Sequence, residues 1–145
     1  MATIGPIFGR TGLFIMTPTD GHASPLLDPA ALEMLRADLD DEVAWKIFVQ
    51  NFLARLQPRV QRIRLTLTTR DRAGAMDAVL SLKTSSQMVG AERLANLALE
   101  LEGKLRAEAR ADSGDVLPGL EADHLGPIKR CAEQTRHLLE AHLHI

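Results

Sequence analysis

Aromatic residues are scarce in this chain of 145 residues, which contains no tyrosine, one tryptophan and four phenylalanines, whereas leucine and alanine are abundant. Aromatic and β-branched residues favour strands, and leucine, alanine, glutamate, arginine and glutamine favour helices. We find no strand pattern and no internal repeat along the sequence. The composition therefore predicts an all-α fold, and the length is typical of one domain.

Cysteine is almost absent too, since Cys131 is the only one. A single cysteine excludes an internal disulfide framework and a cysteine cluster for zinc. Cys131 falls on the inward stripe of the last predicted helix, so we interpret it as a buried structural thiol. His142 and His144 are two residues apart and do not share a helix face. We therefore expect no metal site and no cofactor.

The sequence has no apolar stretch of roughly 18 residues, so it predicts no transmembrane helix. Residues 1–16 carry one basic residue in mid-segment, unlike a signal peptide, and the cytoplasm is the expected location. The net charge of −2 and the lack of interleaved aromatics argue against nucleic-acid binding by the basic stretch. We interpret that stretch as a solvated, salt-bridged face, or alternatively as a surface for an acidic protein partner. It comprises Arg55, Arg59, Arg62, Arg64, Arg70 and Arg72.

No phosphate-binding loop, dinucleotide fingerprint, catalytic triad or paired-carboxylate site is present in the sequence. We therefore do not expect an enzyme. Residues 1–27 are rich in glycine and proline, which argues against regular structure, yet they are too apolar for a purely solvated tail. We interpret them as an irregular N-terminal arm that docks on its own bundle, on a partner or on a second copy, with plain disorder as the remaining alternative. The bundle itself is predicted over residues 28–145.

Five helices are predicted from apolar spacings of three and four residues. Asp28 is a suitable N-cap and Pro29 suits the first helical position, which predicts a short helix over 29–38. Longer helices are predicted over about 42–69, 71–89, from after Gly90 to about 112, and from about 117 onwards. Pro58 is predicted to kink the second helix, and Gly126-Pro127 to kink or split the fifth. Short connections imply antiparallel neighbours, hence an up-and-down four-helix bundle with an additional short N-terminal helix.

The third helix presents two stripes of residues. The inward stripe is Ala75, Val79, Leu82, Ser86 and Val89. The second stripe is Met76, Leu80, Lys83, Thr84 and Gln87, and it is predicted to lie at the edge of the core or outside it. Leu80 is therefore expected to be a large apolar residue near the surface, beside a lysine.

Residues 80–91 read Leu-Ser-Leu-Lys-Thr-Ser-Ser-Gln-Met-Val-Gly-Ala. This segment resembles the motif of histidine phosphotransfer (HPt) domains, His-x-Leu-Lys-Gly-Ser-Ser followed by Gly-Ala. The similarity extends over about residues 26–143 and includes Phe52-Leu53 with Pro58, and the fourth-helix pattern that ends at Leu101-Glu102. The positions that match the motif are Leu82, Lys83, Ser85, Ser86, Gly90 and Ala91.

The chain departs from the HPt motif at its reactive site. The resemblance implies that the phosphoacceptor histidine corresponds to Leu80, which has no lone pair, and that a glycine corresponds to Thr84, which adds bulk. It therefore implies no catalytic residue. Lys83, which in the family lies beside the phosphohistidine, would face the acidic pocket of a receiver or be an ordinary solvated lysine. Leu80 would cover the edge of the core or anchor a protein contact.

The resemblance implies a non-catalytic HPt-like module that binds a response-regulator receiver domain or a histidine kinase through Met76, Leu80, Lys83, Thr84 and Gln87. A structural bundle that forms a homo-oligomer through the N-terminal arm is a second hypothesis. A third is an active phosphotransfer protein that uses another histidine. His137 is the candidate acceptor in that hypothesis, although it lacks the surrounding motif.

Overall fold

The computed structural model describes residues 24–108 and 115–144, and within these ranges it contains five helices and no strand. All five predicted helices are present, and their described ends fall close to the predicted positions. The predicted end of the fourth helix, near residue 112, lies outside the described residues. The helices are α1 (Pro29–Leu39), α2 (Glu42–Thr68), α3 (Arg72–Met88), α4 (Glu92–Glu108) and α5 (Leu117–Leu143).

The four long helices form a bundle in which α2 packs against α3 and α5, and α4 packs against α3 and α5. The short helix α1 lies against α2 and α3. Consecutive helices are neighbours because their connections are short, as at residues 69–71 and 89–91. The prediction of an all-α bundle with an additional N-terminal helix is confirmed.

The core is built from the predicted inward stripes. Trp45 and Ile63 of α2, Leu82 of α3, Leu101 of α4 and Leu139 of α5 are all almost completely buried. Each such side chain contributes about 1.5–3 kcal/mol on removal from water. Because the stripes of all four long helices meet at one centre, the opposite face of each helix is left to solvent or to partners.

Aspartates fix the starts of the first three helices. Asp28 accepts a hydrogen bond from the Ala30 N–H, and Asp41 accepts one from the Val43 N–H, each over 3.0 Å. At the start of α3, Asp71 Oδ1 accepts one from the Gly74 N–H over 2.9 Å. Such caps satisfy backbone donors that have no partner within the helix.

The end of α3 is closed by Gly90, whose φ of 75° lies in the left-handed region. The Ala91 N–H donates to the Ser86 carbonyl over 2.8 Å, as in a Schellman C-cap. The Gly90 carbonyl in turn accepts from the Asp28 N–H over 2.7 Å. The same turn therefore ends α3 and attaches the start of α1 to it.

Both internal prolines, Pro58 and Pro127, lie within continuous helices. The predicted alternative in which Gly126-Pro127 splits the fifth helix is wrong. Leu125 and Ile128 on either side of this pair are buried, at 3% and 1% exposure. Packing of both residues in the core offsets the one backbone hydrogen bond that proline removes.

The last four residues of the predicted N-terminal arm, 24–27, are described, and they lie against the start of α4. The Ser24 carbonyl accepts from Arg93 Nε over 2.6 Å, and Ser24 Oγ accepts from Asn96 Nδ2 over 2.6 Å. Leu26 and Leu27 pack against the core. The predictions for residues 1–23, including docking and self-association, lie outside the described residues.

Among the helices in the described part of the chain, none combines the length and hydropathy needed to cross a membrane.

Candidate functional site

The outward face of α3 brings together the five residues predicted from the sequence. At about 100° per residue, Leu80 lies between Thr84 on one side and Gln87, Met76 and Lys83 on the α4 side. Thr84 and Gln87 are exposed, whereas Met76, Leu80 and Lys83 are partly buried. Met76 also packs against the core. The expectation of a large apolar residue near the surface, beside a lysine, describes Leu80 correctly.

Lys83 is held by a buried carboxylate on the neighbouring helix. Its Nζ donates to Oε1 of Glu102 over 2.6 Å, and Arg106 donates to Oε2 from both Nε and Nη2, over 3.0 and 2.7 Å. The Glu102 side chain is only 8% exposed. These hydrogen bonds from Lys83 and Arg106 lower the pKa of Glu102.

The lysine is therefore not freely solvated, and its ammonium points to α4. The resemblance to HPt domains includes Glu102 in its fourth-helix pattern but implies no role for it. No local pattern would have identified this pairing, because Lys83 and Glu102 are on different helices.

Apart from the Lys83 ammonium, which is paired with Glu102, the polar groups on this face are hydroxyls and amides. Ser85 Oγ donates to the Ser81 carbonyl of its own helix over 2.8 Å, and Thr84 is exposed. No histidine lies on α3. Of the residues that the structure describes, the histidines are His124, His137 and His142 of α5, together with His144 after it.

Helix α5 packs against α2 and α4, on the other side of the bundle core from the outward face of α3. His137 is exposed there, and so it lacks both the motif and the position of a phosphoacceptor on α3. His124 is partly buried, and that burial lowers its pKa. His22 lies outside the described residues.

The arginines of α2 adopt different arrangements beside α3. Arg62 Nη1 donates to Oδ2 of Asp77 over 2.7 Å, which is the salt-bridged arrangement expected for a solvated face. Arg59 Nε donates to the neutral Ser81 Oγ over 3.3 Å, and its buried Nη1 has no hydrogen-bond partner among the residues that the structure describes. Arg55 is exposed and makes no ion pair with any described residue. The basic stretch is thus only partly neutralised.

A groove of about 310 Å³ runs between α2 and α3 next to these arginines. One end is apolar, with the partly buried Phe48 and the exposed Met88, and the other end is basic. Ser85 connects the groove to the outward face of α3. The groove is lined by Phe48, Asn51, Phe52, Arg55, Arg59, Ser85 and Met88.

Within residues 24–108 and 115–144, no group of three or more histidine, cysteine, aspartate or glutamate side chains is arranged to hold a metal ion. Cys131 is buried as expected, with its Sγ 3.9 Å from Thr135 Oγ1. Burial raises the pKa of this thiol, which disfavours the nucleophilic thiolate.

Comparison with known proteins supports the fold and the resemblance. The family model described as Hpt domain matches residues 47–142 of the chain. The crystal structure of histidine-containing phosphotransfer protein B (HptB) from Pseudomonas aeruginosa PAO1 superposes with a TM-score of 0.68 at 22% sequence identity. That match covers 84% of this chain and 97% of the HptB chain, and at this identity it shows a shared fold. No match was found among curated proteins.

Proposed function

Because the chain belongs to the Hpt domain family, whose members act in two-component phosphorelays, we propose that it is a non-catalytic member. It binds a receiver domain or a histidine kinase through the outward face of α3 and accepts no phosphoryl group. Hpt domains are phosphotransfer carriers that interact with both classes of protein. We propose that this chain binds the same classes of partner but does not accept a phosphoryl group from them.

The observation that carries the proposal is Leu80, partly exposed at the centre of the outward face of α3. The resemblance aligns it with the phosphoacceptor histidine of the family. Phosphoryl transfer to a side chain requires a nucleophile with a lone pair, and a leucine side chain contains only carbon and hydrogen. Thr84, one turn further along, adds a branched side chain where the family has glycine.

The arrangement of Lys83 also supports binding without reaction. A lysine beside a phosphohistidine offsets the charge of the phosphoryl group, but here its ammonium is bonded to the buried Glu102. Releasing Lys83 would remove one of the two cationic partners of that buried carboxylate, which is costly. A partner therefore meets an apolar centre on this face, because the Lys83 ammonium is already paired with Glu102.

The side chains on this face suit a protein contact. Leu80 and Met76 provide apolar surface, and the exposed Thr84 and Gln87 provide a polar rim. Specific interfaces commonly have this combination of an apolar centre with polar groups around it. Fold alone does not determine partners, so the partner must be identified by direct measurement.

The binding test uses the full chain and purified receiver domains and kinases from the source organism, with affinities measured by isothermal titration calorimetry. Leu80→Asp is expected to weaken binding by roughly tenfold or more, because it places a charge in the apolar centre. Leu99→Asp on α4 is the matched control, since Leu99 is 46% exposed on another helix. Absence of any complex with wild type would refute the proposal.

The chemical test incubates the chain with a phosphorylated receiver and follows the label. The wild-type protein is expected to remain unlabelled while the complex forms. Labelled wild-type protein would contradict the proposal and favour the hypothesis of an active phosphotransfer protein. In that case His137→Ala would show whether His137 is the acceptor.

A further inference from the structure

We propose that the groove between α2 and α3 receives a helix of the partner that places a carboxylate against Arg55 and Arg59 and an apolar side chain against Phe48 and Met88. This inference rests on the proposed function, because it specifies how the same partner is recognised. The segment that binds in the groove would thus be a helix that carries acidic and apolar side chains.

The charge of the groove is the first argument. Three arginines lie on one face of α2, and Arg62 is neutralised by Asp77 at 2.7 Å. Among the described residues, Arg59 is bonded only to the neutral Ser81 hydroxyl, and Arg55 makes no ion pair. Positive charge therefore remains at one end of the groove, where an acidic partner would complement it.

The orphaned nitrogen of Arg59 is the second argument. Its Nη1 is buried and has no hydrogen-bond partner in the described part of the chain. Burial and the nearby charge of Arg55 both lower the pKa of Arg59, so the free protein holds this guanidinium at a cost. A carboxylate against the accessible part of the Arg59 side chain would not reach the buried Nη1, but it would supply the missing counter-charge and offset the repulsion between the two arginines.

The shape of the groove favours a helix over a small anion. The groove combines a basic end with an apolar end at Phe48 and at Met88, which is 50% exposed. Phe48 and Arg55 are seven residues apart on α2, a separation of about 10.5 Å along the helix. A partner helix that lies along α2 would span this separation if it carries an apolar residue and an acidic residue two turns apart. The apolar residue would contact Phe48, and the acidic residue would contact Arg55.

The groove adjoins the proposed contact face, so one partner reaches both. Arg59 is bonded to Ser81, which is next to Leu80 in the sequence. Ser85, one turn after Ser81, lines the groove. A partner seated on Leu80 therefore has the groove at its edge.

The test uses the receiver or kinase that binds the wild-type chain. Its affinity is measured for three variants of the chain: Arg55→Glu, Arg59→Glu and the double variant. The double variant is expected to weaken binding by about thirtyfold or more, and Arg55→Glu alone by roughly tenfold. Arg64→Glu is the matched control, because Arg64 is exposed on α2 and bonded to Gln61, away from the groove. Its affinity is expected to remain close to that of wild type.

A charge swap identifies the partner residue. Acidic residues on the partner's helices are changed to arginine one at a time. One of these partner variants is expected to bind the Arg55→Glu chain more tightly than the wild-type partner does. Far-UV circular dichroism verifies that each variant folds. If the double variant is unfolded, the test relies on Arg55→Glu alone, because Arg55 is exposed and its replacement should not disturb the fold.

The outcomes separate this inference from the proposed function. If Leu80→Asp abolishes binding but the arginine variants bind like wild type, the groove is not used and only this inference fails. If wild type binds neither receiver nor kinase, both fail. If light scattering shows a wild-type dimer that the double variant dissociates, the occupant is a second copy of the chain, and the assignment to an acidic partner is overturned.

Discussion

Lys83 of α3 and Glu102 of α4 form an ion pair of 2.6 Å, and Arg106 occupies the other oxygen of the same carboxylate. One buried side chain thus connects two helices and fixes the direction of the only lysine on α3. Because the carboxylate is 8% exposed, the pair is shielded from water more than an ordinary surface ion pair.

Glu102→Gln is expected to lower the free energy of unfolding by about 1–3 kcal/mol at neutral pH, since both cationic partners lose their carboxylate. Urea denaturation measures the change. The matched control is Glu133→Gln, which removes the exposed pair with Arg136 and should cost less than about 0.5 kcal/mol. Equal losses in the two variants would mean that burial of Glu102 adds nothing to the pair.

The same carboxylate predicts a pH dependence. Hydrogen bonds from Lys83 and Arg106 lower the pKa of Glu102 below 4.5, so the unfolded chain binds a proton more readily than the folded chain. The stabilising contribution is therefore fully present above the unfolded value and is lost as pH falls through the lowered pKa. The stability difference between wild type and Glu102→Gln should shrink over that acidic range, as followed by denaturation at a series of pH values.

Gly90 is expected to tolerate no side chain. Its φ of 75° disfavours any L-residue, and an added Cβ would lie 2.9 Å from the Asp28 carbonyl oxygen. Gly90→Ala should therefore cost about 1–3 kcal/mol in thermal or urea unfolding. Gly103 in α4 is the contrasting position, because nothing lies within 4 Å of a Cβ there. Gly103→Ala should stabilise the protein by about 0.5–1 kcal/mol, and a loss of stability in that variant would contradict the reasoning.

His124 on α5 predicts a second, less acidic pH dependence. Burial lowers its pKa below 6.5, although Asp123 and Glu100 act in the opposite direction. The unfolded chain therefore binds the proton more tightly, and stability should decrease as pH falls from above 6.5 towards the lowered value. Denaturation midpoints between pH 5 and 8 measure the slope. His124→Gln should flatten it, and an unchanged slope in that variant would contradict the assignment to His124.

Restoring the family's reactive residues tests the proposed loss of chemistry. Leu80→His alone is expected to accept little phosphoryl label from a phosphorylated receiver, because Thr84 still adds bulk beside the new imidazole. Leu80→His with Thr84→Gly is expected to accept several times more. Leu80→Ala with Thr84→Gly is the control and should remain unlabelled. Robust labelling of the single variant, equal to that of the double variant, would refute the crowding argument.

Much of the fold follows from local pattern. Asp28 and Asp71 were predicted at helix starts and act as N-caps there, because capping depends on residues within one turn. The inward stripe of α3 is buried throughout. Gly126-Pro127 shows the limit of local rules, since burial of both flanking residues keeps α5 continuous despite the proline.

The candidate site also combines features that the sequence predicts with features that depend on how the helices pack. The sequence by itself determined that Leu80, Lys83 and Thr84 share the outward face of α3, because residues three and four apart lie on one side of a helix whatever packs against it. Only the tertiary structure decided that Lys83 is bound to Glu102, and that Asp77 neutralises Arg62 while no described carboxylate pairs with Arg55 or Arg59. Those pairings depend on the rotation and register of one helix against the next, which periodicity along a single helix does not specify.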